Sequence, residues 1–356
     1  MPVAAQKYKL TRTRSPYFVQ MASTEAAVEM ELRVWTGDGV ADIPVTANYT
    51  LSKEVSDGAG TFEVSELIRD YLAQNSTIVS GKAWWQAKLN DGVAAQVTIK
   101  ELASEGFHTY DSGLQHPDVG APLEAVCLPT DTDGSCRITM AAGTLGTIPV
   151  YWNNTDGTNW SYDRFGLDGL PIYSTVTMAV TEESSAQINT IVAQSTVSRV
   201  ELNFNGTTQT VYFDYARCSE YEPMRLLYVN KYGAKNYLHF TLKSTESIST
   251  SSDTFRRSLV DYSGLTNGNG LHASRKRITG SKQRFTLNTD WLAEYYVQQL
   301  EELVLSEYVW LVKPTGNPIP VNVTNSSFSK KTHLNDKLIN YTINVETASE
   351  YINTVR

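Results

Sequence analysis

Between Met224 and Ala348 the sequence alternates apolar and polar residues over long stretches, and one segment within it switches to a helical rhythm. It reads "MRLLYVNKYGAKNYLHFTLKS", then a basic stretch, then "TLNTDWLAEYYVQQLEELVLSEYVWL", then "IPVNVTNSSFSKKTHLNDKLINYTINVETA". Period-two alternation rich in Tyr, Thr, Asn and Val belongs to strands with one wet face. The helical segment is expected from about Asp290 to Leu305, with Leu292, Tyr296, Leu300 and Leu303 in one stripe and Asn288 or Thr289 as N-cap. Such a chain spends its sequence on sheets and a helix rather than on a catalytic site.

The N-terminal third has the same character. "YFVQM", "AAVEMELRVWTG" and "IPVTANYTLSKEV" read as strands, and Val28, Met30, Leu32 and Val34 share one face. Val64, Leu67, Ile68, Tyr71 and Leu72 predict a short helix at about 62–74, with Ser65 or Thr61 near its start. Asp91-Gly92 predicts a two-residue hairpin turn. A Gly-, Pro- and Asp-rich stretch, "DSGLQHPDVGAP", then marks a boundary. From Leu123 to about Tyr215 only strands are predicted, and Asn205-Gly206 is the clearest hairpin among them. The expected fold is mainly β: sandwich-like domains with one or two short packed helices at about 62–74 and 290–305. Three segments follow: a β-rich domain over 1–110, a peripheral β-sandwich over 111–217, and a β-rich domain with an amphipathic helix over 218–356.

Composition narrows the function. With 356 residues, 41% of them hydrophobic and 10% aromatic, the chain can build real cores. A net charge of -8 argues against a nucleic-acid coat, which needs a basic surface. No apolar run approaches the roughly 20 residues that span a bilayer, so no membrane partner is expected. The first residues, "MPVAAQKYKLTRTRSPYF", lack the charged-then-apolar order of a signal peptide, which predicts synthesis in the cytosol. Cys127 and Cys136 flank a turn-like "LPTDTDGS" and could meet in a bridge, whereas Cys218 has no evident partner; a reducing compartment favours thiols for all three.

Catalytic and metal motifs were sought by spacing. His108, His116, His239, His272 and His333 are scattered, without a ligand-spaced pair; His239 reads as a side chain facing a sheet. Asp131, Asp133 and Gly134 resemble the start of a calcium loop, but the further oxygen ligands do not follow. Asp156, Asp163 and Asp168 lie in Gly-rich turns that any β protein offers. Gly264, Gly268 and Gly270 lack a phosphate-loop frame, and no G-x-S-x-G elbow exists. No catalytic residue, metal site or cofactor is therefore assigned.

Two features point outward. Arg275, Lys276, Arg277, Lys282 and Arg284 reverse the sign of an acidic chain within ten residues, preceded by Arg256 and Arg257. They read as a solvated loop and strand, as a contact between subunits that meets acids such as those of "EELVLSE" on a neighbour, or as a DNA contact opposed by the net charge. The second feature is aromatic. Trp84-Trp85 places one indole on each face of a strand, so that if one faces a core the other faces solvent or a partner. Trp152, Trp160 and Tyr162 lie in an Asn/Gly-rich part of the middle segment, where core packing, a protein interface and an exposed glycan-binding surface are ranked in that order.

The third segment resembles virion structural proteins of tailed bacteriophages, particularly tail or tail-tip components. The residues that carry the resemblance are Leu226–Ser244, Thr286–Leu311 and Pro320–Ala348, with weaker support from "SPYFVQM" and "FEVSELIRDYL". It covers about a third of the chain and none of the middle segment. It implies β-rich domains that assemble into rings of six, or symmetric multiples, around a tail axis, with no catalytic set to transfer. The expected role is a non-enzymatic ring subunit that joins the tail, or baseplate, to host-recognition parts, with other virion proteins as partners. The alternative is a head-decoration, neck or fibre-like protein whose middle domain grips a surface glycan, and a carbohydrate-active enzyme ranks third.

Overall fold

A computed structural model describes residues 10–37, 39, 41–75, 82–93, 96–105, 125, 126, 128, 134–140, 146–153, 160–172, 175–178, 186–193, 196–204, 206–215, 221–256, 260, 261, 266, 267, 274–325 and 338–350. It is mainly β with two short α-helices, as the alternation predicts. By contact the chain divides into two compact units. The first comprises Met1–Ala216, Leu227–Leu238 and Tyr295–Ser306, and the second Arg217–Leu226, His239–Glu294 and Glu307–Arg356. The expected C-terminal segment thus contributes to both.

The N-terminal part contains β1 (Leu10–Arg12), β2 (Phe18–Ala22), β3 (Ala27–Trp35), β4 (Tyr49–Glu54), β5 (Ala59–Glu63), α1 (Ser65–Asn75), β6 (Lys82–Asn90) and β7 (Val97–Ser104). Five strands form one sheet in the order β1-β7-β6-β3-β4, and β2 pairs with β5. The alternation of β3 is realised: Val28, Met30, Leu32 and Val34 are buried with Ile68 and Leu72 of α1 and with Trp85. Burial of apolar side chains at this spacing is what fixes the register, because a one-residue slip would turn all of them to solvent. The connection after Asp91 is not the two-residue turn expected. β6 ends at Asn90 and β7 begins at Val97, leaving six residues between them. The Asn90 side chain accepts from the Gly92 N–H and Asp91 from the Val93 N–H, so the polar side chains cap a wider loop.

The middle part has β8 (Ala125–Val126), β9 (Cys136–Met140), β10 (Gly146–Asn153), β11 (Trp160–Gly166), β12 (Val176–Met178), β13 (Ala186–Ala193), β14 (Val197–Phe204) and β15 (Thr207–Tyr215). They make a three-stranded sheet, β13-β10-β8, and a five-stranded one, β12-β11-β14-β15-β9. Ile148 and Val150 of the first share a core with Ile138, Val200, Leu202, Val211 and Phe213 of the second. Phe204 pairs with Thr207 around the expected hairpin, and Gly206 adopts a φ of 85°, which favours a residue without Cβ.

The remaining elements are β16 (Met224–Val229), β17 (Lys235–Phe240), β18 (Thr245–Arg256), β19 (Val260–Asp261), β20 (Thr266–Asn267), β21 (Ser274–Asn288), β22 (Leu292–Ala293), α2 (Val297–Leu305), β23 (Val309–Val312), β24 (Ile319–Val323), β25 (Leu338–Ile339) and β26 (Thr342–Thr347). In the second unit β23, β24, β26, β21 and β18 follow one another in an antiparallel sheet. Phe285, Leu287, Val309, Leu311, Val321, Ile343 and Val345 are among its buried residues.

Helix α2 is shorter than predicted. It begins at Val297, after a 3₁₀ turn over Glu294–Tyr296, and Leu292 and Ala293 pair with Ile339 and Leu338 instead of joining it. Neither expected N-cap serves: Tyr296 stands there without a side-chain cap. Asn288 bonds Lys243 and Thr342, and the Thr289 hydroxyl accepts from the Tyr341 N–H. These longer-range partners outcompete a local cap.

Candidate assembly surface

Most of the basic cluster lies on a two-stranded ribbon, not in a loop. β18 and β21 pair from Thr245↔Thr286 to Arg256↔Ser274, and β19 and β20 form a separate antiparallel pair. β26 covers β21 only from Arg284 to Asn288. Beyond that point, from Ser274 to Gln283, β21 pairs with β18 alone among the described residues. A free two-stranded ribbon is marginal in water unless something packs on it.

A bulge sets the faces of the ribbon. Ser251 pairs with Gly280 but Ser252 with Ile278, so Thr279 is the extra residue. Cross-strand partners share a face, which groups Phe285, Gln283, Ile278 and Lys276 with Glu246, Ile248, Ser252, Thr254 and Arg256. Phe285 is buried, whereas Ile248 and Ile278 are 57% and 40% exposed, so the core side of the sheet runs on into solvent as an apolar stripe. The opposite face carries Arg284, Lys282, Arg277 and Arg275, with Phe255 across from Arg275 and 48% exposed. Phe255, Ser274, Arg275, Lys276 and Arg277 line an open groove of about 650 Å³.

The five expected interface cations separate into two sets. Lys282 Nζ lies 2.6 Å from Glu346 Oε1 and Arg284 Nε 3.4 Å from Glu346 Oε2, so both are engaged within the chain. Their charges hold the Glu346 carboxyl below its ordinary pKa, the hydrogen bond from Lys282 contributing most. Arg275, Lys276 and Arg277 are exposed, and among the described residues none makes a hydrogen bond or ion pair with them. Arg257 lies outside the described residues.

The aromatic surface does not form as expected. Trp160 is fully buried, with its ring stacked 5.8 Å from that of Phe204, and Tyr162 packs against the same core. Trp152 lies on β10, and its side chain is outside the description. Trp84 and Trp85 are both buried, in separate clusters: Trp85 with Tyr17 and Val34, Trp84 with Trp35, Leu102 and Tyr151. A pair of indoles on opposite faces therefore reports two cores here.

His239 is buried within β17, consistent with a sheet-facing side chain. His108, His116, His272, His333, Asp131, Asp133, Asp156, Gly264, Gly268, Gly270, Cys127 and Cys218 lie outside the described residues. Cys136 is a buried thiol whose Sγ accepts from Gln209 Nε2 at 3.6 Å. Asp163 accepts from Asn203, and Asp168 from the Leu170 N–H, which are structural tasks. Among the described residues no group of three His, Cys, Asp or Glu is placed to hold a metal, and no helix is long and apolar enough to cross a membrane.

Sequence reading missed several buried polar networks of the first unit. Tyr295 and Tyr296 both donate to Asp214 Oδ2, while Arg137 Nη1 lies 3.6 Å from Oδ1 and its guanidinium sits over the Tyr212 and Tyr295 rings. Gln299 of α2 donates to the Arg137 carbonyl at 2.7 Å. Glu302, the acid expected to meet a neighbour, is instead buried within its own unit, 3.8 Å from Lys231, and burial pushes its pKa up to about 7. Glu101 accepts from Thr11 and Tyr17, while Trp85 Nε1 donates to Thr11. Burial pushes Glu101 up to about 8 against those bonds. Their partners are 70 to 165 residues apart, and no local pattern announces them.

No family model matches the chain, and no curated protein matches it. Among solved structures, a crystal structure of the periplasmic chaperone SfaE aligns with 60% of this chain and all of its own at 10% identity, with a TM-score of 0.18. A likeness at that level carries no argument about fold or role.

Proposed function

We propose that this chain is a non-enzymatic structural subunit that assembles with copies of itself into a ring, as part of the tail or tail tip of a tailed-phage virion. The observation that carries the self-assembly reading is the β18–β21 ribbon, with Arg275, Lys276 and Arg277 unengaged and Ile248, Phe255 and Ile278 exposed on it. Exposed apolar side chains and unpaired cations on such a ribbon are uncompensated among the described residues, and a protein neighbour with an acidic surface compensates both. The chain supplies such a neighbour, since its net charge is -8 even with these cations included. The phage assignment rests on the resemblance of the third segment. The glycan-binding alternative loses its motivation with the burial of Trp160 and the packing of Tyr162.

The test is light scattering across a concentration series, with negative-stain microscopy of the same samples. The wild type is expected to form a closed oligomer, and the combined Arg275→Ala, Lys276→Ala and Arg277→Ala variant to lose that closed oligomer while each subunit stays folded. A triple variant that closes rings as well as the wild type removes this surface from the interface. A wild type that stays monomeric at every concentration overturns self-assembly.

A further inference from the structure

We propose that β18 pairs edge to edge, antiparallel, with β18 of a second copy of this chain, with Ser251 opposite its own counterpart. The proposal rests on the self-assembly reading and names one contact within it. β18 is the end strand of its sheet, twelve residues long, which is about 40 Å of edge. Ten of its twelve residues are exposed and two are half-buried. Along such an edge every second residue points its N–H and C=O away from the neighbouring strand, a template for another strand.

Among the described residues, several of the usual protections are missing from this edge. β18, "TESISTSSDTFR", contains neither Pro nor Lys, and the bulge of the ribbon falls on β21 rather than on the edge strand. A strand left this long and this plain pairs with something.

Charge selects the partner and the register. Two copies related by a two-fold axis must set one residue opposite itself. With Ser251 at that centre, Glu246, which also lies 3.3 Å from Lys313 Nζ of its own chain, stands opposite Arg256 of the second copy, and the same pair recurs at the other end. No other centre within β18 sets an acid opposite a base. The same register places Ile248 opposite Thr254 and Ser247 opposite Phe255, which partly covers the two exposed apolar side chains, and it sets no like charges against each other. A two-fold contact closes at two copies. The cations Arg275, Lys276 and Arg277 lie on β21, away from the new edge, and stay available for a second contact that extends the assembly.

A cysteine at the centre tests this directly. Side chains directly opposite across an antiparallel pair lie close enough for a disulfide, and Ser251 is exposed, so Ser251→Cys leaves the fold intact. After mild oxidation of the full chain, non-reducing electrophoresis is expected to show most of Ser251→Cys as a covalent dimer. Ser249→Cys, which faces Asp253 in this register, is expected to give at least fivefold less, and the wild type sets the baseline for the native thiols. Arg256→Glu is expected to weaken the reduced dimer about tenfold, and combining it with Glu246→Arg to restore it. If Ser251→Cys cross-links no more than the wild type while scattering shows closed oligomers, this pairing is overturned and self-assembly stands. If the wild type is also monomeric, both fall.

Discussion

The Tyr296 hydroxyl donates to Asp214 Oδ2 at 2.9 Å, bringing together the residue that precedes α2 and the penultimate residue of β15 across 82 positions of sequence. Tyr295 donates to the same oxygen, and Tyr296 is almost completely buried. Burial and the Asp214 charge both push the Tyr296 pKa well above its ordinary value, so it stays a donor at any working pH. Replacing Asp214 with Ala strands that hydroxyl and is expected to cost about 2–3 kcal/mol. The check is urea denaturation, with Tyr296→Phe as the comparison. That change removes the buried donor instead of orphaning it, and is expected to cost less.

Glu101 predicts an unusual pH response. Its pKa of about 8 in the fold lies above the 4.5 of an ordinary glutamate, so the folded state holds a proton the unfolded state releases. Its contribution to stability is complete below about pH 4.5 and is lost as pH rises through 8. Glu302, at about 7, acts in the same direction. Denaturant midpoints measured from pH 5 to 9 are expected to fall with pH. Glu101→Gln is expected to flatten part of that slope and to be the more stable form at pH 9.

The turn joining β16 to β17 tolerates no side chain at Gly233. Its φ is 76°, and a Cβ there would sit 2.6 Å from the Glu105 backbone nitrogen. Strain and overlap add, so Gly233→Ala is expected to destabilise the first unit by about 3 kcal/mol. The Ser104 hydroxyl, which donates to the Tyr232 carbonyl at 2.7 Å, lies at the same contact and would be displaced with it. Thermal melts followed by near-ultraviolet circular dichroism read the change through Trp84 and Trp35, which share a cluster with Tyr232.

Glu346 offers the opposite case. Its carboxyl is held low by Lys282 and Arg284, so its contribution is present above the ordinary carboxylate pKa and fades as pH falls below it. Both cations are about half exposed, so water and salt screen the pair. Glu346→Gln is expected to cost under about 1 kcal/mol, and raising the salt concentration should shrink the difference further. Denaturation of both proteins at low and high salt settles it.

The strands were legible wherever one face is dry and regular. Val28, Met30, Leu32 and Val34 are two apart and all buried, so β3 could be read directly. The ribbon was read as a solvated loop and strand because its pattern contains a hidden step. Ile278 and Phe285 are seven apart, an odd spacing that sends them to opposite faces of a regular strand. The extra residue at Thr279 returns them to one face. The start of α2 was misjudged for a related reason: Leu292 has the spacing of the helical stripe, yet it pairs with Ile339, a partner the local pattern cannot reveal. For Trp160 core packing ranked ahead of an exposed surface in spite of its Asn- and Gly-rich setting, and its place in the strand assigns it to the core. At the candidate surface, sign reversal singled out Arg275, Lys276 and Arg277, which lie exposed on β21. The same signal could not separate them from Lys282 and Arg284, whose counter-ion lies 62 or more residues downstream.

The discontinuity of the first unit has a consequence for synthesis. Its 216 N-terminal residues are joined by Leu227–Leu238 and by Tyr295–Ser306, so the unit cannot close until Ser306 has left the ribosome. At roughly 5–20 residues per second, the nascent chain waits about 5–20 s after Ala216 before Tyr295 and Tyr296 can reach Asp214. Through that interval Asp214 and Arg137 are exposed on an incomplete surface. Recovery of soluble protein should therefore respond to chaperone supply and to elongation rate between codons 217 and 306 more than to any equivalent stretch upstream.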